Sequence, residues 1–172
     1  MPEILEIKTS PSPTPVLLHW RDEAATAAAA AALAAAPGLE RALITLDGGL
    51  GAGKTSFVRH LLRALGVSGR IKSPSYAVLE SYELPALTVH HFDFYRFSDP
   101  REWEDAGFRE LLAGPGLRLC EWPSHAAALL PRADLQLQIE VLPDEQRRVR
   151  LLAQGELGLG LQRALERAAA PC

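Results

Sequence analysis

A chain of 172 residues, 48 % apolar and 23 % charged, carries enough apolar side chain for one globular core. Its net charge of −3 excludes a broad basic surface, so tight RNA or DNA binding by the chain alone is not expected. Two cysteines, Cys120 in an apolar run and Cys172 at the end, make no disulfide framework; the alanine-rich run 24–36 is too short to cross a bilayer and follows no signal peptide, so a cytoplasmic protein is expected.

Residues 1–15, ending in Thr9-Ser10-Pro11-Ser12-Pro13-Thr14-Pro15, suit neither ladder nor helix and read as a flexible leader to a single domain over 16–172. Val16 to His19 reads as a short strand. Asp22 is a candidate N-cap for an alanine-rich packing helix that ends near Pro37-Gly38, and whose start can lie near a nucleotide base.

The apolar run Leu43-Ile44-Thr45-Leu46 leads directly into Gly48-Gly49-Leu50-Gly51-Ala52-Gly53-Lys54-Thr55, a full Walker A pattern, and then into a helical stretch through Leu62. Glycines let the backbone curl so that successive N–H groups face phosphate oxygens, the lysine reaches the β- and γ-phosphates, and the threonine hydroxyl suits a Mg²⁺. The helix start adds its positive dipole end. With 13 Gly, 3 Lys and 15 Ser plus Thr in the chain, chance would give this pattern about once in a thousand such sequences.

Gly66 to Gly69 closes that helix, and a loop follows through Lys72-Ser73-Pro74-Ser75. Tyr76–Tyr82 and Leu87–Phe94 read as strands too close together for a crossover helix, hence an antiparallel pair. Asp99 to Trp103 reads as an N-capped helix with Pro100 in its first turn. Leu117 to Glu121 is a buried strand ending in an acid. Ser124–Leu130 reads as a short helix, Leu135–Leu142 with Arg148–Leu152 as a β-hairpin, and Leu157–Ala169 as a closing helix. The fold class is α/β: a P-loop NTPase fold with a mixed, partly parallel sheet and helices on both faces.

A P-loop needs an acid at a strand end to organise Mg²⁺ and its waters. Glu121 and Asp93 both qualify; Glu121 stands where a Walker B acid is expected, leaving Asp93 to orient water or support the metal site. His90-His91 reads as strand packing and hydrogen bonding, since no further histidine or cysteine completes a zinc set. Ser73-Pro74-Ser75-Tyr76, one element beyond the P-loop, suits a switch that senses the γ-phosphate through hydroxyls, and Trp122-Pro123 suits a packed turn. The chain has no asparagine, which excludes the guanine-reading Asn-Lys-x-Asp motif, and it carries neither a Leu-Ser-Gly-Gly signature nor an arginine-rich lid.

The Walker A segment 48–55, Lys-Ser-Pro-Ser-Tyr (72–76), His-Phe-Asp-Phe-Tyr-Arg (91–96), Asp-Pro-Arg-Glu (99–102) and Glu-Trp-Pro (121–123) together resemble the TsaE (YjeE) family over roughly residues 16–155. These are bacterial P-loop ATPases required to make threonylcarbamoyladenosine in tRNA. The resemblance implies that Gly48, Gly51, Ala52, Gly53, Lys54, Thr55 and Ser56 hold ATP, and that Thr55 and Glu121 hold Mg²⁺. Lys54, Asp93 and Glu121 then form the hydrolytic centre, Ser73 to Tyr76 the switch, and Glu23 and Asp144-Glu145 approach the nucleotide. It also implies two partners, TsaB and TsaD, with tRNA met only through the complex and no membrane contact. Gly49 stands where the family usually has Asp, and Ser75 where it usually has Thr; Ser75 keeps the hydroxyl. The residues alone leave three readings: an ATPase, weak by itself, that drives an assembly cycle; a small-molecule kinase; or a nucleotide-gated binding module.

Overall fold

A computed structural model describes residues 13–99, 101 and 107–169. Seven strands form one sheet: β1 (Val16–Trp20), β2 (Leu43–Asp47), β3 (Leu79–Glu83), β4 (Thr88–Asp93), β5 (Leu117–Glu121), β6 (Leu135–Val141) and β7 (Arg147–Ala153). Their order is β1-β7-β6-β2-β5-β4-β3. The four central strands, β6, β2, β5 and β4, run parallel, and the outer pairings are antiparallel. The carboxyl ends of β2, β4 and β5 therefore share one edge, where Asp47, Asp93 and Glu121 stand.

Both faces of the sheet are covered. Helices α1 (Glu23–Ala34), α2 (Lys54–Ala64) and α4 (Gly155–Ala169) lie on one face, with α1 packed against the other two. The main core there joins Leu33, Phe57, Leu61 and Leu165 to Ile44, Leu46 and Leu119 from the strands. On the opposite face a smaller core of Leu43, Phe92, Phe94, Phe108, Leu112 and Cys120 lies under α3 (Phe108–Ala113) and a 3₁₀ turn over Pro123–Ala126. Burial on both faces explains why β2 reads as an unbroken apolar run. It also pushes the Cys120 thiol pKa up, so this sulfur is inert core.

Local chemistry sets the element boundaries. Asp22 caps α1, its Oδ1 accepting the Ala25 N–H at 2.8 Å, and the alanines let α1 approach its neighbours closely. α4 begins at Gly155, two residues before the periodicity suggests, and a Cβ at Gly158 would stand 2.0 Å from the Asp134 carbonyl oxygen. β3 begins at Leu79 rather than Tyr76, because the chain turns at 75–77 and Val78 takes a left-handed conformation (φ 65°). The helix expected over 124–130 is only the 3₁₀ turn, introduced by left-handed Trp122 (φ 55°). Most of the leader (1–12), Cys172 and most of the expected helix at 99–103 lie outside the described residues; what is described of that helix is the Asp99 Oδ1 accepting the Arg101 N–H. Among the described residues no helix is long and apolar enough to cross a membrane.

Candidate nucleotide and magnesium site

The P-loop folds from constraints at its own residues. β2 delivers Asp47, whose Oδ1 accepts the Gly48 N–H at 2.9 Å. Gly48 then takes φ 155°, where a Cβ would meet the Ile139 carbonyl oxygen at 2.5 Å, so only glycine fits. Gly51 and Gly53 continue the turn with positive φ, and Lys54 opens α2. Backbone N–H groups thereby converge at a helix start, the arrangement that suits a phosphate chain.

Lys54 is only 5 % exposed. Its Nζ donates to the carbonyls of Gly48 (2.6 Å) and Gly49 (2.9 Å) and lies 4.1 Å above the Trp122 ring. Burial lowers its pKa, opposed by the carboxylates of Glu121, Asp47 and Asp93. A cation held this deeply, with carbonyls and a ring for partners, suits an anion of high charge.

Next to it, the Thr55 hydroxyl donates to Glu121 at 3.0 and 3.1 Å from its two oxygens. Glu121 is 1 % exposed, and its Oε1 also lies 2.8 Å from His91 Nε2. Asp93 faces Glu121 across the β4–β5 register, accepting from the Ser73 hydroxyl (2.9 Å) and the Tyr95 N–H (3.0 Å). The hydroxyl and carboxylate oxygens fit a hard cation such as Mg²⁺, which takes few protein ligands and keeps its waters. Among the described residues no group of three or more His, Cys, Asp and Glu gathers to hold a metal by itself.

Two cavities meet at the loop. One of about 540 Å³ runs along Gly51 to Ser56 and takes in Ser73, Ser75, Asp93, Glu121, Trp122 and Arg147. The other, about 430 Å³, shares Gly51 to Gly53 and Ser56 and extends past Trp20, Glu23, Thr26, Glu145 and Arg147. The first matches the phosphate and metal end of a nucleotide in chemistry, and the second has the mixed lining of a nucleoside pocket.

The structure gathers most of the expected residues here, with four exceptions, of which Gly48 lines neither cavity and meets the site through its carbonyl, which accepts from Lys54. The Asp144 carboxylate lines neither cavity, because its Oδ1 instead accepts the Gln146 N–H in the β6–β7 turn. Pro74 closes its own turn, its carbonyl accepting the Val78 N–H. Tyr76 is 84 % exposed, its ring under the Arg96 guanidinium at 4.5 Å. Glu23 does line the nucleoside-side cavity, with its Oε1 3.2 Å from His60 Nε2.

Arg147 escaped the sequence reading. Its Nε donates to the Ala52 carbonyl at 2.8 Å, and it lines both cavities. The signal was present in strand alternation: Arg147, Val149 and Leu151 share the inward side of β7, while Arg148 and Arg150 face solvent. The hairpin of β6 and β7 is legible in the sequence; the place of β6 beside β2, which is not, brings Arg147 to the loop.

Comparison with known proteins points the same way. The family model described as threonylcarbamoyl adenosine biosynthesis protein TsaE matches residues 20–149. The tRNA threonylcarbamoyladenosine biosynthesis protein TsaE of Haemophilus influenzae is 38 % identical over 116 residues, 67 % of this chain and 73 % of that protein. Its Bacillus subtilis counterpart is 34 % identical over 142 residues, covering 80 % and 87 %. The crystal structure of Bacillus subtilis YdiB superposes with a TM-score of 0.74 and 28 % identity, over 92 % of this chain and 98 % of that one. Sequence, fold and P-loop geometry agree: the chain belongs to the TsaE family of threonylcarbamoyladenosine biosynthesis proteins.

Proposed function

We propose that this chain binds ATP with Mg²⁺ and hydrolyses it in the cytoplasm, as the ATPase that works with TsaB and TsaD in modifying tRNA. The observation that carries the reading is the bond from the half-buried Thr55 hydroxyl to the buried Glu121 carboxylate, beside Lys54 at the mouth of the P-loop. Lys54 and the N–H groups of residues 51–56 hold the phosphates; Thr55 and Glu121 hold the cation. Mg²⁺, when bound, neutralises phosphate charge and orients the β- and γ-oxygens. Asp93, fixed by Ser73 and Tyr95, lines the phosphate cavity, and in this reading it is the acceptor for the attacking water. Glu23, Glu145 and Arg147 border the nucleoside end.

Weak turnover by the isolated chain follows from its cations. Arg96 and Arg147, the guanidinium groups that line the phosphate cavity, are engaged by the Tyr76 ring and the Ala52 carbonyl. An arginine that stabilises charge on the transferred phosphoryl group accelerates such hydrolysis by about 10³–10⁵, so contact with a partner has to supply or release one. Calorimetry with ATP and Mg²⁺ tests the site: the wild type binds, and Lys54→Met loses binding at least tenfold. Equal affinity in the variant would remove the assignment.

A further inference from the structure

His91 and Glu121 are the most deeply buried polar side chains described, at 0 % and 1 % exposure. The contact between them, 2.8 Å from Nε2 to Oε1, has one chemical sense. An ionised carboxylate only accepts, so the imidazole proton sits on Nε2 and is donated to Glu121. The other ring nitrogen, Nδ1, is buried with no partner. The ring's polar chemistry is thus spent on Glu121 alone, at a position where a leucine would pack without that cost.

Strand alternation explains why this histidine is there. Val89, His91 and Asp93 share one side of β4, next to Leu117, Leu119 and Glu121 on β5. Val89, Leu117 and Leu119 belong to the helix-side core, so His91 stands at the boundary between core and site. Glu121 is held from above by Thr55 at the start of α2 and from below by His91. Thr55 is itself a cation-side group in the proposed function, which leaves His91 as the contact that orients the carboxylate whether or not a cation is present.

We propose that His91 is a positioning residue for Mg²⁺: its Nε2–H fixes the Glu121 carboxylate toward Thr55 and so sets the affinity for the cation without touching the nucleotide. The inference rests on the proposed ATP and Mg²⁺ site. Partners that orient a metal-side ligand typically change metal affinity 10–100-fold when removed.

The test is calorimetry of ATP binding across a Mg²⁺ series and in EDTA. His91→Leu removes the donor and keeps the bulk; it should shift the Mg²⁺ midpoint upward by about 10–100-fold and leave ATP affinity in EDTA unchanged within experimental scatter. His91→Gln, which returns an N–H near the place of Nε2, should recover most of the loss. A wild-type Mg²⁺ midpoint in His91→Leu, or a glutamine variant no better than leucine, overturns the proposal. Should His91→Leu fail to fold, ¹⁵N-histidine spectra of the wild type decide. An Nε2–H tautomer with a slowly exchanging proton supports the role, and an Nδ1–H tautomer contradicts it. A wild type that binds no ATP with Mg²⁺ sinks the proposed function as well, whereas wild-type binding with an unaltered His91→Leu sinks this inference alone.

Discussion

Lys54 shows at the residue scale how a site is built against stability. Its ammonium is buried, and burial lowers its pKa. The unfolded chain therefore holds this proton to higher pH than the folded one, so stability rises with pH from the lowered folded value up to the ordinary lysine range. Lys54→Met, which keeps the stem and removes the charge, should raise Tm by about 2–4 °C near neutral pH while losing ATP. The gain should shrink as pH approaches the ordinary lysine pKa, and a Tm below wild type would show that Gly48, Gly49 and Trp122 more than offset the buried charge. Glu121 invites the complementary change. Glu121→Gln keeps the shape and removes one negative charge, so ATP should still bind while phosphate release falls about 10²-fold or more. Wild-type release at saturating Mg²⁺ would transfer the metal-side role to Asp93. These residues were legible because a Walker A pattern and an acid ending an apolar strand are local signals. Arg147 was not, since its meaning depends on β6, the hairpin partner of β7, lying beside β2, and Asp144 serves the β6–β7 turn because an aspartate there can bond its own backbone.

At the scale of elements, the segment between α2 and β3 links the P-loop helix to the acids of the site. Ser73 donates to Asp93, and the Val78 carbonyl accepts the Asp93 N–H at 2.8 Å, so both ends of the turn are tied to one acid. Between them Ser75 faces the phosphate cavity and Tyr76 faces solvent under Arg96. Val78 carries a left-handed backbone that a β-branched residue adopts only at a cost of about 1–3 kcal/mol. A turn tied to the site, strained and displaying an exposed aromatic is suited to respond to a partner. Tyr76→Ala should leave ATP affinity of the isolated chain unchanged and reduce partner-stimulated phosphate release about tenfold, as a contact residue of an interface does. Full stimulation in that variant would mark the segment as an ordinary turn. Val78 also explains the misplaced start of β3: its sequence has strand propensity, and the tie to Asp93 overrides it. The β6–β7 hairpin and the antiparallel β3–β4 pair, by contrast, follow from alternation and short connections alone.

For the whole molecule, the sheet order is what turns separate motifs into one site. β2 lies between β5 and β6, parallel to both, with β4 parallel beyond β5. Acids from three strands thus meet the P-loop at one carboxyl edge, the location expected for ligands in open α/β sheets. The sequence contains the strands and the fold class; it does not contain their order, because pairing between segments as distant along the chain as Val16 and Leu151 leaves no local trace. The same order keeps α1 and the β6–β7 turn on the nucleoside side and leaves the Tyr76, Arg96 and Trp122 side of the phosphate cavity toward solvent. In the proposed function, a macromolecular partner meets the phosphates on that side and leaves the nucleoside end undisturbed. The central claim, an ATPase completed by its partners, is therefore tested most directly by phosphate release from ATP and Mg²⁺ by the full chain, alone and with TsaB and TsaD. The account predicts slow release by the chain alone, at least a tenfold rise with both partners, and loss of that rise in Lys54→Met and Glu121→Gln. Absence of release in both states, or transfer of the phosphoryl group to a metabolite, would contradict it in favour of a nucleotide-gated module or a kinase.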